Sequence, residues 1–108
     1  MDIEQIRRLY ATGQLNLRYV SHATVEARKE GFNRSDFLEA LVYGELIEDY
    51  GQSALLLHSK PEGNVPYHVV IDYSAEAATL VFVTIYIPSS DRWAKGWKRR
   101  KQKSKKKR

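Results

Sequence analysis

Hydrophobic positions are densest over residues 65–88, VPYHVVIDYSAEAATLVFVTIYIP. β-Branched and aromatic residues dominate this stretch. They predict two strands, 65–73 and 79–87, joined by a small-residue turn at 74–78. In the first strand Val65, Tyr67, Val69, Ile71 and Tyr73 alternate with Pro66, His68, Val70 and Asp72, so the odd positions are expected to face a core. The second strand is apolar on both faces, the mark of an interior strand. Pairing Tyr73 with Thr79 across the turn sets His68 opposite Thr84 with Tyr86 diagonal to it. That places an imidazole, an alcohol and a phenol on one face. A slip of one residue would part them.

Before this hairpin the pattern is helical. Ile3, Ile6, Leu9 and Tyr10 predict a helix over 2–12, stopped by Gly13, and residues 15–20 fit a short edge strand. Ser21 is expected to cap a second helix over 22–30, which ends at Gly31. Asn33 and Asp36 form a capping box for a third helix over 34–43, with Phe37, Leu38, Leu41 and Val42 on one side and Gly44 as its stop. Two strands, 45–50 and 53–60, follow around Gly51-Gln52, and PEGN at 61–64 makes another turn. The expected fold is α+β, with N-terminal helices on a four- to five-stranded, mainly antiparallel sheet. Residues 1–97 form one domain. Trp93 and Trp97 are expected to fold back on it, and 98–108 is expected to be a disordered basic tail.

Composition narrows the picture. At 108 residues one modest core is all the chain can build. It has no cysteine, so disulfides and thiolate zinc sites are out. Its apolar runs are far shorter than the roughly 20 residues of a membrane span, and residues 1–5 offer no leader, so a cytoplasmic protein without membrane contact is expected. Ten of the eighteen basic residues lie between Ala94 and Arg108, a segment without acids. The other eight face thirteen acidic residues. The net charge of +5 therefore divides into a body at −5 and a tail at +10.

Charge and chemistry point toward RNA. His22, at a helix start, lies where backbone N–H groups favour anions and disfavour imidazolium. The plainer role is a partner for local backbone. His68, with Thr84 and Tyr86, has the groups needed to take a proton from a ribose 2′-hydroxyl and supply one to a leaving oxygen. A cross-strand hydrogen bond that only fills the sheet is the alternative. Arg28 and Arg92 suit phosphate through their planar forks, whereas Lys29 reads as solvated. His22, Glu26 and Glu30 recur at one-turn spacing, but no metal motif accompanies them, so neither metal nor cofactor is expected. Trp93, Trp97, Lys98, Arg99 and Arg100 combine aromatics with cations, as single-stranded RNA binding demands; a solubility tail has the same composition.

Ser21-His22-Ala23, Gly31, Asp36, the run Gly44 to Tyr50 (GELIEDY), Leu55 to Leu57, Pro66 to Val70 (PYHVV), Thr84 to Pro88 (TIYIP) and Trp93 together resemble the bacterial domain-of-unknown-function family 4258. The resemblance spans roughly residues 15–97. It implies a RelE/MqsR-like ribonuclease fold and a toxin of a type II toxin–antitoxin pair, partnered by an antitoxin with a zinc ribbon and a helix-turn-helix. The family histidines fall on His22 and His68 and its strand-end hydroxyls on Thr84 and Tyr86. Many members carry arginines where this chain has Glu26 and Glu30. The leading expectation is a metal-independent endoribonuclease cleaving mRNA, free or at the ribosome. The alternatives are a non-catalytic RNA- or ribosome-binding module that uses the tail, and a protein-interaction partner of the neighbouring gene product.

Overall fold

A computed structural model describes residues 1–102 of the chain. Its elements are α1 (Ile3–Ala11), β1 (Asn16–Tyr19), α2 (Ser21–Lys29), α3 (Arg34–Tyr43), β2 (Glu45–Asp49), β3 (Ser53–Ser59), β4 (Pro66–Ser74) and β5 (Thr79–Tyr86). The strands form one sheet in the order β1-β5-β4-β3-β2. Every pairing is antiparallel except β1 with β5, which is parallel. The protein is α+β, as its periodicities predict.

Helix ends follow local chemistry. The Asp2 carboxylate accepts from the Gln5 N–H at 3.1 Å and starts α1. At α3 the Asn33 side chain accepts from the Ser35 N–H at 3.0 Å, and Asp36 accepts from the Asn33 N–H at 2.9 Å. The shorter Asp thus completes the capping box. Asn33→Ala is expected to cost about 1 kcal/mol, read from a urea unfolding midpoint. An unmoved midpoint would mean that packing alone sets this helix. Ser21 does not act as expected: it is the first residue of α2, whose cap position is Val20, without a side-chain bond. Burial of Ala23 and Ala27 holds that helix instead.

All three helices pack on one face of the sheet. Ile6, Ala27, Phe37, Ala40 and Leu41 meet Leu56, Tyr67, Val69, Ile71, Leu80 and Phe82 in a single core. The odd positions of β4 do face this core, and the Tyr67 hydroxyl donates to the Asp36 carbonyl at 2.7 Å within it. β5 is interior, between β1 and β4.

The hairpin register differs from expectation in two places. Ser74, not Tyr73, pairs with Thr79, and a bulge at Val83 shifts the partners again. His68 therefore lies opposite Tyr86, and Thr84 opposite Val70. Each departure alone would move a side chain to the other face; the two together restore the face. His68, Thr84 and Tyr86 do share a side of the sheet, with Tyr86 rather than Thr84 as the direct neighbour of His68.

Candidate functional site

Two rows of side chains cross the sheet face that carries no helices. One runs Glu45, Leu57, His68, Tyr86, and the next runs Glu48, Leu55, Val70, Thr84. After β5 the chain turns back as a strap, residues 88–101, and covers the first row. The strap is a small hairpin of its own. Trp93 and Arg100 form a bridge, the Ala94 N–H donates to the Arg99 carbonyl at 2.8 Å, and the Lys101 N–H donates to the Arg92 carbonyl at 2.8 Å. Gly96 and Trp97 turn it with positive φ, +90° and +66°.

Opposite charges pin the strap to β2. Lys98 pairs with Glu45 at 3.1 Å, and Arg100 forks onto Glu48 through Nε at 2.8 Å and Nη2 at 3.0 Å. The acidic body thus binds the start of its own basic tail. The expected disorder from residue 98 onward does not hold for Lys98, Arg99, Arg100 and Lys101, because Glu45 and Glu48 neutralise the repulsion and the hairpin satisfies the backbone. The remainder of the expected tail, 103–108, lies outside the described residues.

Beneath the strap His68 is fully buried. The Trp93 indole stands edge-on to its ring, centroids 4.3 Å apart. His68 Nε2 lies 2.8 Å from the Trp97 carbonyl, which can only accept, so Nε2 carries the proton. In the neutral ring Nδ1 is then an acceptor, and the Tyr86 hydroxyl donates to it at 3.2 Å. Burial lowers the His68 pKa below the ordinary range; the Trp97 carbonyl and the Glu48 carboxylate oppose this more weakly. Burial likewise raises the Tyr86 pKa, so the phenol keeps its proton.

Tyr86 also lines a cavity of about 290 Å³ with Ile87, Ser89, Arg92, Trp93 and Arg100. Arg92, Arg100, Tyr86 and Ser89 thus share its lining, residue types that suit one phosphodiester. His68 does not line this cavity; its link to the lining is the hydrogen bond with Tyr86.

Other expected site residues lie elsewhere. His22 is exposed in the first turn of α2, so the sheet stands between its helix and His68. Arg28 is exposed at the other end of α2, beside a small crevice with Phe32 and Asn33. Neither joins the cavity. Sequence spacing gave them helical neighbours, but the faces of the sheet separate them from the strand histidine. Trp93 cannot stack on a base, because it is 3% exposed and spent on His68. Trp97 contributes its carbonyl, and Arg99 is exposed on the hairpin with its carbonyl bonded to Ala94. Thr84 is half-buried in the second row. Ser89 has no sequence signal. From sequence Glu48 and Asp49, adjacent in a strand, point to opposite faces and make no catalytic carboxylate pair; the partner of Glu48 is 52 residues away and leaves no local signal.

Among the described residues no cluster of three or more His, Asp or Glu could hold a metal ion, and no helix is long and apolar enough to cross a membrane. The family model described as domain of unknown function (DUF4258) matches residues 19–87. That span includes Glu48, His68 and Tyr86 and stops where the strap begins. No curated protein and no solved structure matches the chain.

Proposed function

The chain belongs to the family described as domain of unknown function (DUF4258), and from that premise we propose that it is a metal-independent endoribonuclease that binds RNA phosphodiesters in the cavity beside Tyr86. The observation that carries this reading is that Tyr86, hydrogen-bonded to the buried His68, lines a cavity together with Arg92 and Arg100. Arg92 and Arg100 would hold the non-bridging phosphate oxygens and stabilise the charge that grows on them. The Tyr86 oxygen would take the proton of the 2′-hydroxyl as its own proton passes to His68 Nδ1. The freed 2′-oxygen attacks the adjacent phosphorus, and the P–O5′ bond breaks. The products are a 2′,3′-cyclic phosphate and a 5′-hydroxyl, whose proton comes from solvent at the open mouth of the cavity.

The resemblance to toxin-like members extends the proposal: the chain is the toxin of a type II pair, acting on mRNA in the cytoplasm and held in check by a zinc-ribbon/helix-turn-helix antitoxin. Cleavage of a short RNA in EDTA tests the chemistry. At least a tenfold loss is expected for Tyr86→Phe and for His68→Ala, because general acid–base assistance is worth more than that. Equal rates in wild type and Tyr86→Phe would overturn it. RNA binding without cleavage by the wild type would favour the module reading, in which the basic segment alone supplies affinity.

A further inference from the structure

We propose that Glu48 is a positioning residue that fixes Arg100 as the phosphate donor of the cavity beside Tyr86. The inference rests on the phosphodiester reading of that cavity and names the residue that prepares it.

Arg100 is held from three sides. Glu48 engages its Nε and Nη2 in a two-pronged ion pair. Its Cζ lies 4.7 Å above the Trp93 ring, and its backbone is bridged to Trp93. Trp93 in turn stands against His68, so the guanidinium is stacked onto the same pile of rings that buries the histidine. The ion pair uses Nε and Nη2 and leaves Nη1 outside it, and Arg100 lines the cavity. The carboxylate itself is fixed, because the Tyr50 hydroxyl donates to it at 2.7 Å.

A long arginine on an exposed loop ordinarily loses much rotamer freedom when it grips a phosphate. Here the fold has already removed that freedom, and the remaining edge of the guanidinium is presented in advance. Charge is also balanced. With Glu48 set against Arg100, Arg92 leaves the cavity one net positive charge, the complement of one phosphodiester. The Lys98–Glu45 pair is a natural control, since it ties the same strap to the same strand but Lys98 does not line the cavity.

The test uses the full chain and a 2′-O-methyl RNA oligonucleotide, which cannot be cleaved, with unfolding midpoints measured in parallel. Glu48→Gln and Arg100→Ala are each expected to weaken binding about tenfold, the worth of a charge-assisted hydrogen bond. Glu45→Gln is expected to change it less than about twofold, as a surface pair should. The exchange variant, Glu48→Arg with Arg100→Glu, should recover the unfolding midpoint but not the affinity. Binding by Glu48→Gln that equals or exceeds wild type would overturn the proposal, because the carboxylate would then only repel phosphate. Recovery of affinity by the exchange would also overturn it, by showing a mere latch. Should Glu48→Gln not fold, Glu48→Asp keeps the charge and shortens the reach; unchanged affinity there would count against the proposal equally. Binding needs no cleavage, so an inactive wild type with Glu48-dependent affinity would defeat the ribonuclease chemistry and leave this inference standing.

Discussion

Trp93→Ala is expected to cost about 3 kcal/mol of stability and to bring the His68 ring into ordinary titration. The indole is almost wholly buried, stands edge-on to His68 and carries Arg100 on its face. Truncating a buried aromatic costs roughly 3–5 kcal/mol, and a site at the protein edge can relax toward the lower figure. The second effect follows from linkage. His68 titrates below its ordinary value chiefly because it is buried. As pH falls through about 6.5 the unfolded histidine takes a proton that the folded one still refuses. The unfolded state therefore binds more protons, and wild-type stability drops from that pH down to the folded pKa; above it, His68 adds no slope. Opening the site with Trp93→Ala removes the cause, so the His68 pKa should rise toward 6.5 and this part of the acid loss should vanish. Urea midpoints at pH 7.5 and pH 5, with an NMR titration of the imidazole, would decide. An unchanged His68 titration in the variant would show that the strap does not seal the ring.

Gly44→Ala should be nearly as damaging, about 3 kcal/mol, although nothing about its backbone is strained. A Cβ at this position would clash with the Ala40 carbonyl oxygen and lie 3.1 Å from the Leu57 carbonyl oxygen. Both are backbone atoms, the last turn of α3 and the neighbouring β3, so neither can swing aside. Overpacking of this kind typically costs 1–3 kcal/mol, with rigid neighbours at the upper end. Arg7 adds to the constraint. Its guanidinium donates to the Leu41 carbonyl at 2.7 Å and the Gly44 carbonyl at 2.6 Å, tying α1 to the end of α3. A thermal or urea midpoint within experimental scatter of wild type would show that the α3–β2 junction can spread. Gly44 was legible as a helix stop, but the sequence offered the wrong reason: its φ is −70°, and close approach, not backbone freedom, demands the glycine.

The same division runs through the whole molecule. Period-two alternation identified the core face of β4 at Tyr67, Val69 and Ile71, because burial on one face leaves a local trace in composition. Asn33 and Asp36 announced α3 for a similar reason: a cap is made by residues three apart. That His22 and Arg28 lie apart from His68 follows from which face of the sheet α2 covers, which local spacing does not tell. Ser21 was credible as a cap only as long as the exact start of α2 was unknown.

By itself, then, the sequence determined the fold class, the capping of α3 by Asn33 and Asp36, and the core face of β4. These depend on neighbours within a few positions. The partner of each group was settled by tertiary structure alone. A turn and a bulge, each one residue out, set His68 against Tyr86 rather than Thr84. A strap then brought the Trp97 carbonyl, 29 residues on, to the other ring nitrogen. Such contacts depend on register and on charges meeting across the sheet, and neither leaves a signature in the residues nearby.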